Sequence, residues 1–265
     1  MEKVDKKAFF FDYDGTVWFG SYGEKTLKAL EVLHGKGHLI FYNSGRSKGN
    51  TRKEKVALIP FDGMLYGGSH AEIGGKTVFR NDISRSIMEE VISLEKENDL
   101  LIIYEGVEGV YKRKGILPQY NGEEQDDISV LLDVENYPIT KFSIIKKQGE
   151  NGQILPVSSE VVKKLKEYFF VVELDNYIEC MLKGMGKDFI AKKVVDYLGI
   201  DKESVYVFGD SLNDLSMFNA FSHNVAIGHS PDELKSLAEY VTKEEQNGVY
   251  EALVHLGFIS ESEVL

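Results

Sequence analysis

Short apolar segments alternate with amphipathic segments in the first third of the chain. Residues 8–11 are wholly apolar and end at Asp12, and residues 26–33 then carry leucines at roughly helical spacing. Residues 38–42 form the next apolar segment, and a polar segment with a helical pattern follows at residues 47–58. Alternating strands and helices predict a parallel sheet with helices on both faces.

The middle of the chain is richer in paired β segments. It carries two predicted helices, residues 84–98 and 158–168, and five predicted strands, residues 100–106, 109–114, 139–147, 169–174 and 177–183. The alternation then resumes, with helices predicted at residues 187–198, 214–220 and 231–238 and strands at residues 204–210 and 223–228. Ser230 as N-cap and Pro231 at the first helical position mark the start of the last of these helices. We therefore predict an α/β domain with a doubly wound parallel sheet, built from residues 1–82 and 183–265, and an α+β domain inserted at residues 83–182.

Composition limits the class of protein. Hydrophobic residues make up 43% and charged residues 28% of the 265 residues, as in folded globular proteins. The formal net charge of −12 would repel a polyphosphate backbone, so we expect no nucleic-acid partner. Cys180 is the single cysteine and no apolar run is long enough to span a membrane. We expect a cytoplasmic protein without a membrane partner, either a monomer or a small homo-oligomer.

Polar residues cluster where predicted strands end. Residues 12–16 follow the first strand, residues 43–46 follow the second, residues 209–214 end a later strand, and Lys187 begins a helix. Ligands of parallel sheets bind at the carboxyl ends of the strands, so we expect these clusters to meet. Taken alone, each cluster could be a turn, an exposed lysine or a helix cap, but their common position favours one shared site.

The chemistry of these clusters suits a cation and a phosphoryl group. They contain four aspartates, Asp12, Asp14, Asp210 and Asp214. Four carboxylates would repel one another unless a cation lay among them, and oxygen ligands with room for water and a substrate phosphate suit magnesium better than calcium. Ser44 and Lys187 add a hydroxyl donor and a positive charge for the phosphoryl oxygens. One carboxylate could then attack phosphorus while a second serves as acid and base.

An Asp-x-Asp-Gly sequence can also open a calcium-binding EF-hand loop. That loop requires Gly at its sixth position and Glu at its twelfth, where this chain has Val17 and Gly23. We therefore set the EF-hand alternative aside.

Four segments in order resemble the motifs of the haloacid dehalogenase (HAD) superfamily. They are FFFDYDGTV, LIFYNSGR, GMGKDFIAKKVVDYLGI and VYVFGDSLNDLSMF. The region inserted between the second and third motifs resembles the cap of the Cof-type branch, subclass IIB. The resemblance covers essentially the whole chain and implies a Rossmann-like HAD core with an inserted cap domain.

The resemblance implies roles in phosphoryl transfer. Asp12 resembles the nucleophile that forms an aspartyl-phosphate, and Asp14 resembles the acid for the leaving oxygen and then the base for water. The second aspartate favours phosphoryl transfer, because haloacid dehalogenases as a family lack it. The residues implied to contact the phosphate or substrate are Tyr13 through its backbone, Ser44, Gly45, Arg46, Lys187 and Asn213.

The resemblance also implies a magnesium site. The implied metal-site residues are Asp12, Asp14 through its backbone carbonyl, Asp210, Ser211 and Asp214. Asp214 would orient Lys187 or a metal-bound water. Gly15 would let the backbone turn tightly around the phosphate, and Thr16 would tether that turn.

Two segments depart from the Cof-type pattern. Asn43-Ser44 stands where relatives often show Ala-Thr, and Ser44 keeps the hydroxyl. Residues 67–73 stand where relatives usually carry Asn-Gly. We interpret this segment as a loop in which His70 is either a loop residue or a substrate contact.

We predict a magnesium-dependent phosphatase that acts on a small phosphorylated metabolite, a sugar phosphate or a phosphorylated cofactor. The alternatives are a phosphomutase or phosphotransferase with the same intermediate, and a ligand-binding protein without catalysis on the same fold. In the predicted cap, the candidates for reading the leaving group are Tyr104, Glu105, Lys112, Arg113, Tyr120, Tyr177 and Glu179.

Overall fold

A computed structural model of the protein describes residues 6–51 and 58–264. These residues form two compact units. The first unit comprises residues 6–45, 58–79 and 186–264, and the second comprises residues 46–51 and 80–185. The insertion predicted at residues 83–182 lies inside the second unit, which also takes in the short segment 46–51.

The first unit contains an eight-stranded sheet in the order β14-β13-β12-β1-β2-β3-β4-β5. Its strands are β1 (Ala8–Phe11), β2 (Leu39–Ser44), β3 (Gly63–Tyr66), β4 (His70–Ile73), β5 (Lys76–Arg80), β12 (Val205–Gly209), β13 (His223–Ala226) and β14 (Tyr240–Val241). Neighbouring strands from β14 to β3 are parallel, and β3 pairs with β4 antiparallel. The predicted α/β class with a mainly parallel sheet is confirmed.

Strand β1 lies at the centre of this sheet and is buried on both faces. Phe9 and Phe11 belong to one hydrophobic cluster, and Phe10 belongs to the cluster on the opposite face. All three rings are 0% exposed. A strand buried on both faces needs apolar residues without alternation, which explains the run of phenylalanines.

Five helices belong to the first unit. They are α1 (Glu24–Gly35), α4 (Lys187–Leu198), α5 (Leu215–Ala220), α6 (Asp232–Lys235) and α7 (Gly248–His255). Helices α1 and α7 supply apolar residues to the cluster around Phe9 and Phe11, whereas α4 and α5 supply those around Phe10. The helices therefore cover both faces, as the alternating pattern predicted.

The second unit contains a six-stranded sheet in the order β10-β11-β9-β6-β7-β8. Its strands are β6 (Leu101–Gly106), β7 (Val110–Arg113), β8 (Glu123–Gln125), β9 (Ile139–Ile145), β10 (Phe169–Glu173) and β11 (Tyr177–Leu182), and its helices are α2 (Arg85–Asn98) and α3 (Ser159–Tyr168). All pairs are antiparallel except β7 with β8. Helices α2 and α3 cover one face, where Val161, Val162 and Leu165 of α3 are buried. Four short 3-10 helices complete the described elements of the chain, at Ile128–Leu132, Lys202–Ser204, Leu212–Asp214 and Glu261–Glu263.

Two local predictions are corrected by the structure, and one lies mostly outside the described residues. The last helix, predicted at residues 231–238, is shorter, since α6 spans Asp232–Lys235 and Pro231 itself is extended, with ψ of 152°. Residues 67–73 are not a single loop, because His70 begins strand β4. Much of the helix predicted at residues 47–58 lies outside the described residues. Within the described ranges, no helix is long and apolar enough to cross a membrane.

Candidate active site

Asp12 occupies the first position after the central strand β1. Its backbone N–H donates to the carbonyl of Phe208 on β12 at 2.8 Å, which extends the ladder by one residue. The parallel register pairs Phe11 with Phe208 on one side and with Tyr42 on the other. Asp12 is therefore fixed at the carboxyl edge of the sheet, and it is only 5% exposed.

Lys187, the first residue of α4, bridges two carboxylates. Its Nζ lies 2.5 Å from Asp12 Oδ1 and 2.7 Å from Asp214 Oδ1. Burial disfavours the ammonium, but Asp12 and Asp214 outweigh this effect and raise the pKa of Lys187. The buried Asn43 amide donates to the carbonyl of Lys187 at 2.8 Å, which holds the start of the helix against β2. The lysine is thus a fixed positive charge at the end of β1.

Asp214 organises the loop after β12. Its Oδ2 accepts the backbone N–H groups of Asp210 at 3.0 Å and Ser211 at 3.1 Å, while Oδ1 accepts from Lys187. Gly209 makes room for this side chain, since a Cβ at Gly209 would come within 2.5 Å of the Asp214 carboxyl carbon. Three donors on a fully buried carboxylate indicate that Asp214 fixes both the loop and the lysine.

Asp210 faces the loop that follows β1. Thr16 Oγ1 donates to Asp210 Oδ1 at 3.0 Å, so Thr16 ties the first-motif turn to the fourth motif. Gly15 has a φ of +89°, and a Cβ on it would lie 2.4 Å from Asp210 Oδ2. His229 Nε2 lies 3.3 Å from the same oxygen. Glycine is required here both for its backbone conformation and for the approach of Asp210.

Three carboxylates come together at this edge. Ligand oxygens of Asp12, Asp210 and Asp214 all lie within 4.8 Å of one another. Burial raises the pKa of Asp12 well above its usual range; Lys187 lowers it, and Asp214 and Asp210 raise it further. Such a set of oxygen donors fits a hard divalent cation, which would relieve the repulsion among the carboxylates.

The other residues predicted for the site make contacts of their own. Asp14 is exposed and forms an isolated backbone bridge with Trp18. The Tyr13 hydroxyl lies 2.8 Å from that of Tyr22, so its side chain points into an aromatic cluster. The remaining predicted residues lie in the second motif and in or beside the 3-10 helix after β12.

Ser44 is buried at the carboxyl end of β2. Gly45 follows Ser44 and lies beside Asn213, because a Cβ on Gly45 would be 3.7 Å from Asn213 Nδ2. The Ser211 hydroxyl donates to Asn213 Oδ1 at 3.0 Å. Arg46 belongs to the second unit, so the described first unit brings together Ser44, Gly45 and Asn213 without it.

Two contacts of the cluster were not predicted from sequence. The role of Asn43 depends on a tertiary contact with the Lys187 carbonyl, although it lies in the second motif. His229 follows β13, and its position after the end of a parallel strand is the same signal that identified the other clusters.

His70 is 1% exposed on β4, and its Nε2 lies 3.3 Å from Thr77 Oγ1.

The residues of the second unit predicted as candidate contacts of the leaving group fall into two groups. Tyr104 lies in the core under the helices, where its hydroxyl donates to Glu95 at 2.7 Å, so it does not read a substrate. Lys112 is buried and donates to two backbone carbonyls, at Leu117 and Tyr120. The Arg113 guanidinium donates to the Asp99 carboxylate, also within the unit.

Glu105 and Glu179 belong to the other group. Both lie beside the buried ammonium of Lys141, which forms ion pairs with them. Burial opposes the charge of Lys141, but Glu105 and Glu179 raise its pKa. Tyr177 is partly exposed near the same pairs, at the start of β11.

Comparison with known proteins agrees with the geometry. A family model described as haloacid dehalogenase-like hydrolase matches residues 9–253. A Streptococcus pyogenes protein, whose name combines a phosphatase with a peptidyl-prolyl cis-trans isomerase, is 27% identical over 96% of this chain, which spans only 54% of that relative's length. YwtE of Bacillus subtilis, named a 5-amino-6-(5-phospho-D-ribitylamino)uracil phosphatase, is 30% identical over 66% of each chain. The solved HAD subclass IIB sugar phosphatase BT4131 is similar with a TM-score of 0.75 and 23% identity, covering 96% of this chain and 100% of that one.

The chain belongs to the haloacid dehalogenase-like hydrolases, because the family model matches most of its length. The resemblance to Cof-type phosphatases of subclass IIB is confirmed, and so is the predicted class of enzyme, a HAD-superfamily hydrolase of phosphate esters.

Proposed function

We propose that the protein is a magnesium-dependent phosphatase that hydrolyses a small phosphorylated metabolite through an aspartyl-phosphate on Asp12. The observation that carries the proposal is the bridge from Lys187 to Asp12 and Asp214 beside Asp210, at the carboxyl end of the central strand. It combines a buried carboxylate, a fixed cation and further oxygen ligands, which are the groups needed for phosphoryl transfer.

The donor set fits magnesium. Asp12 and Asp210 would hold the ion together with the backbone carbonyl of Asp14, and Ser211 would lie nearby. When bound, the ion would neutralise the carboxylates and the negative charge of the substrate phosphate. Asp214 already accepts from Lys187 and two backbone amides, so we assign it to orienting the lysine rather than to direct ligation.

The two chemical steps follow from the positions of Asp12 and Asp14. In the first step a carboxylate oxygen of Asp12 attacks phosphorus, the bond from phosphorus to the ester oxygen breaks, and Asp14 donates a proton to that leaving oxygen. In the second step Asp14 accepts a proton from water, the water oxygen attacks phosphorus, and the bond to Asp12 breaks. The exposure of Asp14 is consistent with water reaching its carboxylate for the second step.

Lys187 would stabilise charge on the phosphoryl oxygens during both steps. Its ammonium already lies against Asp12, so it needs no rearrangement to approach a group bound there. Ser44, Asn213 and the backbone N–H of Tyr13 would donate to the same oxygens. Gly45 would allow close approach, and Arg46, which belongs to the second unit, would add a second positive charge.

The names of relatives support a small metabolite as substrate. YwtE is named for a phosphorylated ribitylaminouracil and BT4131 for a sugar phosphate, both of them small polar molecules. We propose that the second unit is a cap that reads the leaving group, and that Glu105, Glu179 and Tyr177 are its candidate contacts.

A hydrolysis assay in oxygen-18 water tests the proposal. A panel of sugar phosphates and phosphorylated cofactors is incubated with and without magnesium, and inorganic phosphate is analysed for the label. We expect labelled phosphate only with the metal, and none from Asp12→Asn. Transfer of the phosphoryl group to a second metabolite without labelled phosphate would instead support the phosphomutase or phosphotransferase alternative.

A further inference from the structure

His229 lies outside the four sequence motifs, yet it contacts a carboxylate oxygen of Asp210. Its Nε2 lies 3.3 Å from Asp210 Oδ2, and Thr16 Oγ1 donates to Oδ1 of the same carboxylate at 3.0 Å. Each oxygen of Asp210 therefore has one side-chain donor when the imidazole carries its proton on Nε2. These two donors together fix the rotation of the carboxylate.

The loop that carries His229 is itself held in place. The backbone N–H of Ile227 donates to the carbonyl of Gly209 at 3.1 Å, directly before Asp210. Gly228 donates to Thr242 Oγ1 at 3.0 Å, and Ser230 closes a turn by donating to the carbonyl of Ile227 at 2.9 Å. His229 therefore projects from a loop anchored on the same strand that positions Asp210.

The imidazole also has an aromatic support. The ring of Phe19 meets it edge to face, with centroids 5.6 Å apart and an interplanar angle of 80°. This contact restricts the rotation of a side chain that is otherwise 34% exposed. An ordinary surface pair would have no such second contact and would contribute little.

We infer that His229 is a positioning residue that aims the Asp210 carboxylate at the divalent cation, an inference that rests on the proposed metal site. Each oxygen keeps a further lone pair for the cation after it has accepted one hydrogen bond. Hydrogen-bond partners of metal-binding carboxylates commonly change metal affinity by about 10-fold to 100-fold when they are removed. His229 is assigned this role and not direct ligation, because it is not among the residues whose ligand atoms lie within 4.8 Å of one another.

Metal binding measured without substrate tests the inference. Mn²⁺ is titrated into the protein and followed by the electron paramagnetic resonance signal of free Mn²⁺, and Mg²⁺ binding is measured by calorimetry. We expect His229→Ala to weaken both metals by the same factor, about 10-fold or more. His229→Gln, which keeps an N–H donor at similar reach, should recover the affinity to within about threefold of wild type.

A second histidine–aspartate pair provides the matched control. His34 Nε2 lies 3.5 Å from Asp62 Oδ2 in the same unit, away from the carboxylate cluster. His34→Ala should leave metal affinity unchanged. Thr16→Val removes the other donor to Asp210 with little change of shape, and combined with His229→Ala it should weaken binding more than either change alone.

The outcomes separate this inference from the proposed function. If wild-type protein binds neither metal, the proposed metal site fails and the inference with it. If wild-type protein binds both metals and His229→Ala binds them equally well, the inference alone is overturned. A loss in His229→Ala that Gln does not recover, or a loss for Mn²⁺ without a loss for Mg²⁺, would also overturn positioning through Asp210.

Discussion

Asp214→Asn distinguishes an organising residue from a metal ligand. The carboxylate is 0% exposed and accepts from Lys187 at 2.7 Å and from two backbone amides at 3.0 and 3.1 Å. An asparagine keeps the shape but directs an amide N–H either at the ammonium or at the backbone donors. Turned one way, the amide leaves the Lys187 ammonium without this acceptor; turned the other way, it leaves both backbone N–H groups without one.

The cost can be estimated from the contacts. Breaking a buried ion pair costs about 3–5 kcal/mol, and because Lys187 keeps Asp12 at 2.5 Å we expect about 3 kcal/mol. A residue that only bound metal would behave differently when the metal is removed. Its replacement would relieve repulsion within the carboxylate cluster and would leave the metal-free protein equally stable or more stable.

Urea unfolding in the presence of a chelator measures the difference. Trp18 is the only tryptophan of the chain, and it packs on Tyr22 in the first unit with centroids 4.8 Å apart, so its fluorescence reports the unfolding of that unit. With an m value of about 2–3 kcal/mol/M, a loss of about 3 kcal/mol lowers the midpoint by roughly 1–1.5 M.

The matched control is Asp201→Asn. Asp201 is exposed and accepts a single backbone N–H, from Glu203 at 3.1 Å. Its replacement should cost no more than about 1 kcal/mol. An unchanged or raised midpoint for Asp214→Asn in the metal-free protein would refute the organising role and return Asp214 to the metal ligands.

Three further predictions concern other positions. Asp12→Asn should abolish phosphate release while circular dichroism stays that of wild type, and turnover close to wild type would show that the nucleophile is misassigned. Gly15→Ala should weaken Mn²⁺ binding because its Cβ would lie 2.4 Å from Asp210 Oδ2; Gly20→Ala, at a similar φ of +87° but with open space, is the control and should leave binding unchanged. Cys180 is buried, which raises the pKa of its thiol to about 12, so only about one thiol in ten thousand is ionised at pH 8. Cys180 should react rapidly with a thiol reagent only after urea unfolds the second unit. Rapid labelling of the folded protein would contradict the burial of Cys180.

Local sequence signals predicted the elements that carry the site. The observed bounds of β1 and α4 match the predictions, because apolar runs and helical spacing are interrupted there by charged residues or glycine. The β4–β5 hairpin was missed, although its signal was present. Gly74 and Gly75 both have positive φ, of 56° and 75°, as a two-residue hairpin turn requires.

The misplaced start of α6 has a physical reason. The backbone N–H of Ser230 is used in a turn to Ile227, and Pro231 keeps an extended backbone with φ of −64° and ψ of 152°. The capping pattern of the sequence was therefore present one residue before the helix could begin. Local patterns mark a helix start to within one or two residues, and here the extended backbone of Pro231 puts the first helical residue at Asp232.

Contacts between motifs could not be predicted in the same way. The motifs indicated that Asp210 and Lys187 would lie near Asp12, but not that Thr16 and His229 would each hold one oxygen of Asp210. Such pairings depend on how loops from separate strands meet, and residue spacing within one segment carries no information about them.

The charges of the cluster explain why a divalent cation suits it. Asp12, Asp210 and Asp214 carry three negative charges when ionised and Lys187 carries one positive charge, so these four side chains have a net charge of −2. The lysine lies between Asp12 and Asp214, whereas the described contacts of Asp210 are with a hydroxyl and an imidazole. The uncompensated charge is therefore concentrated on the Asp210 side of Asp12. Under the proposed function, a divalent cation at that position neutralises the cluster, and Lys187 then remains available to the phosphoryl oxygens.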